Sequence, residues 1–165
     1  MLSDPGVVRY LYDDVLDQAA ADAKLIGRGP TITEPGGWMN LAVELVGAVR
    51  APATTVVVGD VGLSWAPGDH AQAEIGYTFL TEHHGHGYAT EAAAAVVGLA
   101  FGVLGAHRVC GRLDARNAAS ARVLERLGMR REAHLVQNEW VKGEWTDEAV
   151  YAVLVDEWTT PGTGP

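Results

Sequence analysis

The chain has almost nothing with which to staple itself, cross a bilayer or hold nucleic acid. One cysteine among 165 residues rules out an internal disulfide framework. Cys110 falls in the alternating run Val109-Cys110-Gly111-Arg112-Leu113, where a buried, inert strand residue is expected, and such usage suits a reducing cytoplasm. The most apolar stretch, Ala92 to Leu104, is shorter than the ~20 residues a membrane span needs, so it reads as a buried helix. No charged leader with an apolar stretch and a cleavage site opens the sequence, which points away from secretion and toward a cytoplasmic protein. Lys and Arg number 12 against 21 Asp and Glu, and the formal net charge of -9 excludes a generic nucleic-acid binder.

What basic charge exists is concentrated. Seven of the twelve Lys and Arg residues (Arg108, Arg112, Arg116, Arg122, Arg126, Arg130 and Arg131) fall between 108 and 131, beside only Asp114 and Glu125. That region suits a compact polyanion, although any single arginine there also fits a solvated strand or helix face. A chain of this length buries roughly two thirds of its unfolded surface, enough for one domain over residues 1–158 to stand on its own core. The Gly- and Pro-bearing tail, 159–165, reads as disordered.

Periodicity predicts the order helix, three strands, helix, strand, helix, two strands. Val15, Ala19, Ala23 and Ile26 recur at helical spacing after a Ser3-Asp4-Pro5-Gly6 turn. Leu41 to Val46 and Thr54 to Trp65 read as a hairpin, and Glu74 to Leu80 as a third strand. A helix from Tyr88 to Leu104 ends at Gly105, and a strand over 107–114 follows. Asn117 is placed to cap a helix that runs to Leu127 and stops at Gly128. Two strands, 132–141 and 145–155, flank the turn Lys142-Gly143.

Chemistry concentrates where the third strand passes through His83-His84-Gly85-His86-Gly87 into the helix at Tyr88. The first-turn N–H groups of a helix converge where its dipole favours negative charge, and two glycines permit close backbone approach and positive φ. A pyrophosphate fits such a place. The loop follows antiparallel strands and has neither a GxGxxG pattern nor a terminal Lys-Ser/Thr, which excludes dinucleotide-fold and P-loop readings. Three histidines in four residues are an alternative metal site, but they would need a fourth ligand and supporting partners, so no metal is expected.

The runs EIGYTFLTEHHGHGYATEA, RLDARNAASARVLERLGMRREA and NEWVKGEWTDEAVYAVL, in this order, resemble the GNAT superfamily of N-acetyltransferases. The likeness is to its RimJ/RimL-type branch, which includes ribosomal-protein N-terminal acetyltransferases, and it spans about Leu41 to Trp158. It implies an α/β (α+β) fold, with a mixed, mostly antiparallel twisted sheet, a splayed central strand pair and flanking helices. It implies acetyl-CoA as cosubstrate, with the backbone of His84, Gly85, His86, Gly87, Tyr88, Ala89 and Thr90 around the pyrophosphate. His84 stands where the family has Gln or Arg. Phe79 and Leu80 would pair with the pantetheine amides, and one of their N–H groups would polarise the thioester carbonyl. Members of the branch usually begin with a strand and helix before the segment matched by Asp4-Pro5-Gly6-Val7-Val8. That strand is expected to be missing here, leaving an edge for a loop or a second copy of the chain to cover in a homodimer.

The same resemblance assigns catalytic roles. Asn117 and Ser120 would contact the cofactor, and Ser120 would protonate the leaving thiolate, because the family's alternative tyrosine position is Leu124 here. Glu139, beside Trp140, matches the proposed general base of RimL-like enzymes, and Glu74 is the second candidate. The acceptor is expected to be a primary amine, foremost a protein or peptide N-terminus. At pH 7 roughly one α-amine in ten is already neutral, against about one lysine in 2,500. Two rivals share the cofactor half: a non-catalytic acetyl-CoA-binding module, and an acetyltransferase of a small amine or aminoglycoside. Trp38, Trp65 and Trp140 are candidates to line an acceptor pocket, and Pro30 to Gly37 and Ala66 to His70 to select its occupant.

Overall fold

A computed structural model describes residues 1–26, 28–32, 34, 36–46, 56–66 and 71–159. The loop tip between the first two strands, most of the Ala66 to His70 segment and the tail from 160 lie outside the described residues. Helices α1 (Pro5–Val8) and α2 (Gln18–Leu25) precede strands β1 (Trp38–Glu44), β2 (Val57–Ala66) and β3 (Gln72–Phe79). A 3-10 turn over Thr81–His83 leads into α3 (Tyr88–Gly102). Then come β4 (Arg108–Asp114), α4 (Ala118–Arg126), β5 (Arg130–Val141) and β6 (Glu144–Leu154).

The strands form one sheet in the order β1-β2-β3-β4-β6-β5, antiparallel throughout except for the parallel pair β3–β4. One face is apolar. Val61, Leu63, Ala73, Ile75, Val109, Ala149, Tyr151 and Val153 alternate inward along their strands and meet Ala93, Val96, Val97 and Ala100 of α3 and Leu124 and Leu127 of α4. The α3 residues are spaced i, i+3, i+4, i+7, which is why an Ala-rich segment buries a single stripe. Gly111 of β4 lets Leu124 pack directly on the strand, since a Cβ there would lie 2.9 Å from the leucine Cδ2.

Local chemistry accounts for most element ends. Asn117 accepts from the Ser120 N–H at 3.1 Å and caps α4. Gly105, at φ 68, closes α3 by letting the Ala106 N–H reach back to the Ala100 carbonyl. Lys142 and Gly143, at φ 51 and 81, make the β5–β6 hairpin turn with both central residues left-handed.

The first helix differs from expectation. It starts at Asp17, whose carboxylate accepts from the Ala20 N–H at 2.8 Å, and none of its residues is buried. Val15 lies before this helix and Ile26 is its C-terminal cap, and both are exposed. The segment read as a turn at Asp4 instead forms α1, with Asp4 capping Gly6 and Val8 buried.

Glycine substitutions test this packing. Gly59→Ala would place a Cβ 2.5 Å from the Thr78 carbonyl and 2.6 Å from the Phe79 ring. It is expected to lower unfolding free energy by ~1–3 kcal/mol in urea titrations. Gly102→Ala meets nothing within 4 Å and is expected to be neutral or to stabilise by up to about 1 kcal/mol.

Candidate active site

The parallel pair β3–β4 is in register only from Gln72↔Arg108 to Ile75↔Gly111. Beyond that point β3 stays with β2 as far as Gly59↔Phe79, and β4 stays with β6 as far as Asp114↔Glu148. The two central strands therefore part, and the Tyr77 side chain enters the opening, donating from its hydroxyl to the Ser120 carbonyl at 3.0 Å. Burial pushes that phenol well above its ordinary value, so it stays a donor.

At the parted end the main chain of β3 is split between two sides. The Leu80 N–H donates to the Val58 carbonyl at 2.9 Å, so it faces β2. Strand alternation then turns the main-chain groups of Phe79 toward the opening. Of the two donors the sequence left open for the thioester carbonyl, the Leu80 N–H is therefore committed elsewhere. The Phe79 carbonyl lies 3.0 Å from His84 Nε2, which puts the donating proton on that nitrogen. His86 stacks on Tyr88, with centroids 5.4 Å apart, and its Nδ1 lies 3.3 Å from the His83 carbonyl.

Gly85 and Gly87 adopt φ 80 and 87, and a Cβ on either would meet nothing within 4 Å. Gly87 heads α3 with no side-chain cap, and the first internal bond runs from the Glu91 N–H to the Gly87 carbonyl. The N–H groups of Tyr88, Ala89 and Thr90 thus find no acceptor among the described residues. Open space over a left-handed glycine and three free donors fit a pyrophosphate.

On the other face of the sheet is a cavity of about 180 Å³ whose lining includes both base candidates, Glu74 and Glu139, with Arg112, Asp114, Asp147 and Glu148. Tyr10, Leu11 and Tyr12 wall it, on a segment tied down where Lys142 Nζ donates to the Val8 carbonyl at 2.6 Å. Ser120, Asn117 and the loop 84–90 do not line it; α4 packs on the opposite, apolar face. Trp38, Trp65 and Trp140 are absent from the lining too. Trp38 lies over the cross-strand glycines Gly62 and Gly76, and Trp140 packs edge-on against Trp145.

Glu148 and Tyr12, both in the cavity lining, were not singled out from sequence. Glu148 is 5% exposed, accepting from Arg112 Nη1 at 3.1 Å and from Asn138 Nδ2 at 3.0 Å. Tyr12, 69% exposed, faces Glu139 from the cavity mouth, and partial desolvation together with the charges of Glu139, Glu148 and Glu74 raises its phenol above the ordinary value. Burial likewise pushes the Glu74 carboxyl up, opposed by Arg112 and reinforced by Glu148. One signal for Glu148 was available: it stands in phase with Val150 and Ala152 in a strand with two covered faces. The arginine-rich region is largely self-neutralised, with Arg108, Arg112, Arg116 and Arg130 all in ion pairs with Asp or Glu.

A parted parallel pair with a glycine loop and bare helix start at its mouth is the arrangement that the resemblance to N-acetyltransferases implies. The chain belongs to the GNAT family: residues 1–130 match its acetyltransferase (GNAT) domain. It is 37% identical over 91 residues to the uncharacterized N-acetyltransferase YnaD of Bacillus subtilis, covering 55% of this chain and 53% of the relative. The chain spans about half the length of the curated relatives it matches. A GNAT-family acetyltransferase from Bacillus anthracis superposes with a TM-score of 0.79 at 29% identity, over 94% of this chain and 86% of the other. RimJ of Mycobacterium smegmatis, in complex with CoA-disulfide, reaches 0.59 at 29% identity over 62% of this chain and 49% of the other. The broader match is described only as a GNAT-family acetyltransferase, so the comparisons carry the family and not the RimJ/RimL branch. Among the described residues no helix is long and apolar enough to cross a membrane, and no His, Cys, Asp and Glu cluster suits a metal.

Alanine at Gly87 must hold φ 87, at a strain of roughly 1–2 kcal/mol, and it crowds the anion's approach. Calorimetric titration is expected to show CoA binding weakened by about tenfold or more. Unchanged affinity would remove the loop from the cofactor site.

Proposed function

We propose that this chain is an acetyl-CoA-dependent N-acetyltransferase that moves the acetyl group to a primary amine by direct attack. The observation that carries the reading is the parting of β3 and β4 after Ile75↔Gly111, with the glycine loop at the parted end and the carboxylate-lined cavity on the sheet's other face. When bound, acetyl-CoA supplies an activated thioester. The chain's own residues orient the reactants and handle protons. The N–H groups of Tyr88 to Thr90 hold the pyrophosphate, the Phe79 main chain aligns the pantetheine arm, and Asn117 and Ser120 flank it from α4. His84 yields the Phe79 carbonyl as that arm docks.

Glu139 and Glu74 face the acceptor nitrogen from two sides of one cavity, and one of them takes its proton. A carboxyl raised by burial is the better base near neutrality. The leaving sulfur takes its proton from the Ser120 hydroxyl. The acceptor is first a protein or peptide N-terminal amine, since a modest base suffices for a group whose pKa is about 7.7 to 8.0. A small-molecule amine is the second reading, favoured by the walled, acidic cavity of about 180 Å³. We place the enzyme in the cytoplasm.

Thiol release from acetyl-CoA, assayed with N-terminal peptides, polyamines and aminoglycosides, tests the reading. Turnover with at least one class is expected, and Glu139→Gln or Glu74→Gln should lower kcat by about 10²–10⁴-fold. Tight acetyl-CoA binding without release across the whole panel would assign the chain as a binding module instead.

A further inference from the structure

Five carboxylates line the cavity, and two are already spoken for. Asp114 accepts from Arg116 Nη2 at 2.7 Å and from the Arg116 N–H at 2.9 Å. Asp147 accepts from the Gln137 N–H at 2.9 Å and lies 2.6 Å from His134 Nε2. The other three, Glu74, Glu139 and Glu148, share one cation and one amide. Arg112 Nη1 donates to Glu148 Oε2 at 3.1 Å while its Nε lies 3.6 Å from Glu74 Oε2. Asn138 Nδ2 donates to the same Glu148 Oε2 at 3.0 Å and to Glu139 Oε1 at 3.3 Å. Both connectors meet on a single oxygen.

That oxygen belongs to the most buried of the three. Glu148 is 5% exposed, in mid-strand beside Ala149 and Val150, where an apolar side chain of similar volume would cost less than a desolvated carboxylate. Asn138 reaches it because β5 is irregular there: three residues, Val136 to Asn138, stand opposite the single Asp147, with Gln137 at φ 50. A buried charge and an irregular strand, both costly, converge on one contact between the two candidate bases.

We propose that Glu148 is a positioning residue of this site, holding Arg112 and Asn138 so that Glu74 and Glu139 are presented as a pair to the acceptor amine. The proposal rests on the acetyltransferase reading. Arg112 and Glu148 then act on Glu74 in opposite senses. Removing the Glu148 charge frees Arg112 for Glu74 and deletes a neighbouring like charge, so Glu74 becomes more acidic. Removing the Arg112 charge strips Glu74 of its cation, so it becomes less acidic. The titratable groups facing Glu74 are Cys110 and Arg112 from β4, Glu148 from β6, Glu139 across the cavity and Tyr12 from the N-terminal segment; its β2 partner Ser64 is uncharged. Burial raises Cys110, and partial desolvation with the neighbouring carboxylates raises Tyr12, so both stay neutral at assay pH.

The test is the acidic limb of the pH profile of kcat/KM, measured with the amine that gives fastest thiol release, for the parent chain and three variants. Glu148→Gln is expected to move the limb down, and Arg112→Gln to move it up, each by about one pH unit. In both, the KM for acetyl-CoA should stay within about twofold and kcat should fall about tenfold or more. Glu148→Asp, which keeps the charge on a shorter stem, should return the limb to the parent position with kcat still reduced. A fault of folding alone would lower activity without moving the limb. Limbs that stay in place, or move in the same direction in both charge-removing variants, overturn the proposal. Should Glu148→Gln fail to fold, Arg112→Gln decides, since Arg112 is half-exposed and its limb must still rise. A parent chain that releases no thiol with any amine sinks the acetyltransferase reading itself, and that result is seen before any variant is made.

Discussion

Everything else in the molecule depends on one failure of pairing. A parallel neighbour lets β3 and β4 share four register positions and no more, because each strand has a longer antiparallel commitment on its other side. Twist accumulates across a sheet, and two strands anchored to diverging partners separate where their own ladder is weakest. The price is a set of main-chain groups on β3 without strand partners. One of these, the Phe79 carbonyl, is met by His84. Tyr77 bridges the gap to α4, so the opening is braced and does not collapse.

Two electrostatic environments flank the parted strands. On the helix side, unpaired N–H groups and left-handed glycines favour an anion. On the far side, three carboxylates held by one arginine and one amide favour a cation. A cofactor that brings a pyrophosphate at one end and an acyl group at the other, and an acceptor that arrives as an ammonium, match those two signs. Burial makes the acidic side costly, and the connected set Glu74-Arg112-Glu148-Asn138-Glu139 is how the chain bears it.

Much of this was legible in the sequence, and what was legible was local. Gly105, Gly128, Asn117 and Lys142-Gly143 act within a turn of themselves, so element ends follow from residue type. Likewise the splay and mixed sheet follow from family resemblance, and the loop His83 to Gly87 announces itself by composition. The N-terminal segment was legible only in part, because Asp4-Pro5 starts a short helix as readily as a turn. The cavity network was hidden for a different reason. Arg112, Asn138 and Glu148 are brought together by register between β4, β6 and β5, and by an irregularity in β5 that no spacing rule marks.

The central claim is that the parted strands and the glycine loop form one cofactor site. A crystal structure of the protein with CoA tests it most directly. The account predicts the pyrophosphate within hydrogen-bond distance of the Tyr88, Ala89 and Thr90 N–H groups, a pantetheine amide on the Phe79 main chain, and His84 displaced from the Phe79 carbonyl. A pyrophosphate bound away from the start of α3, with His84 still on Phe79, would contradict it.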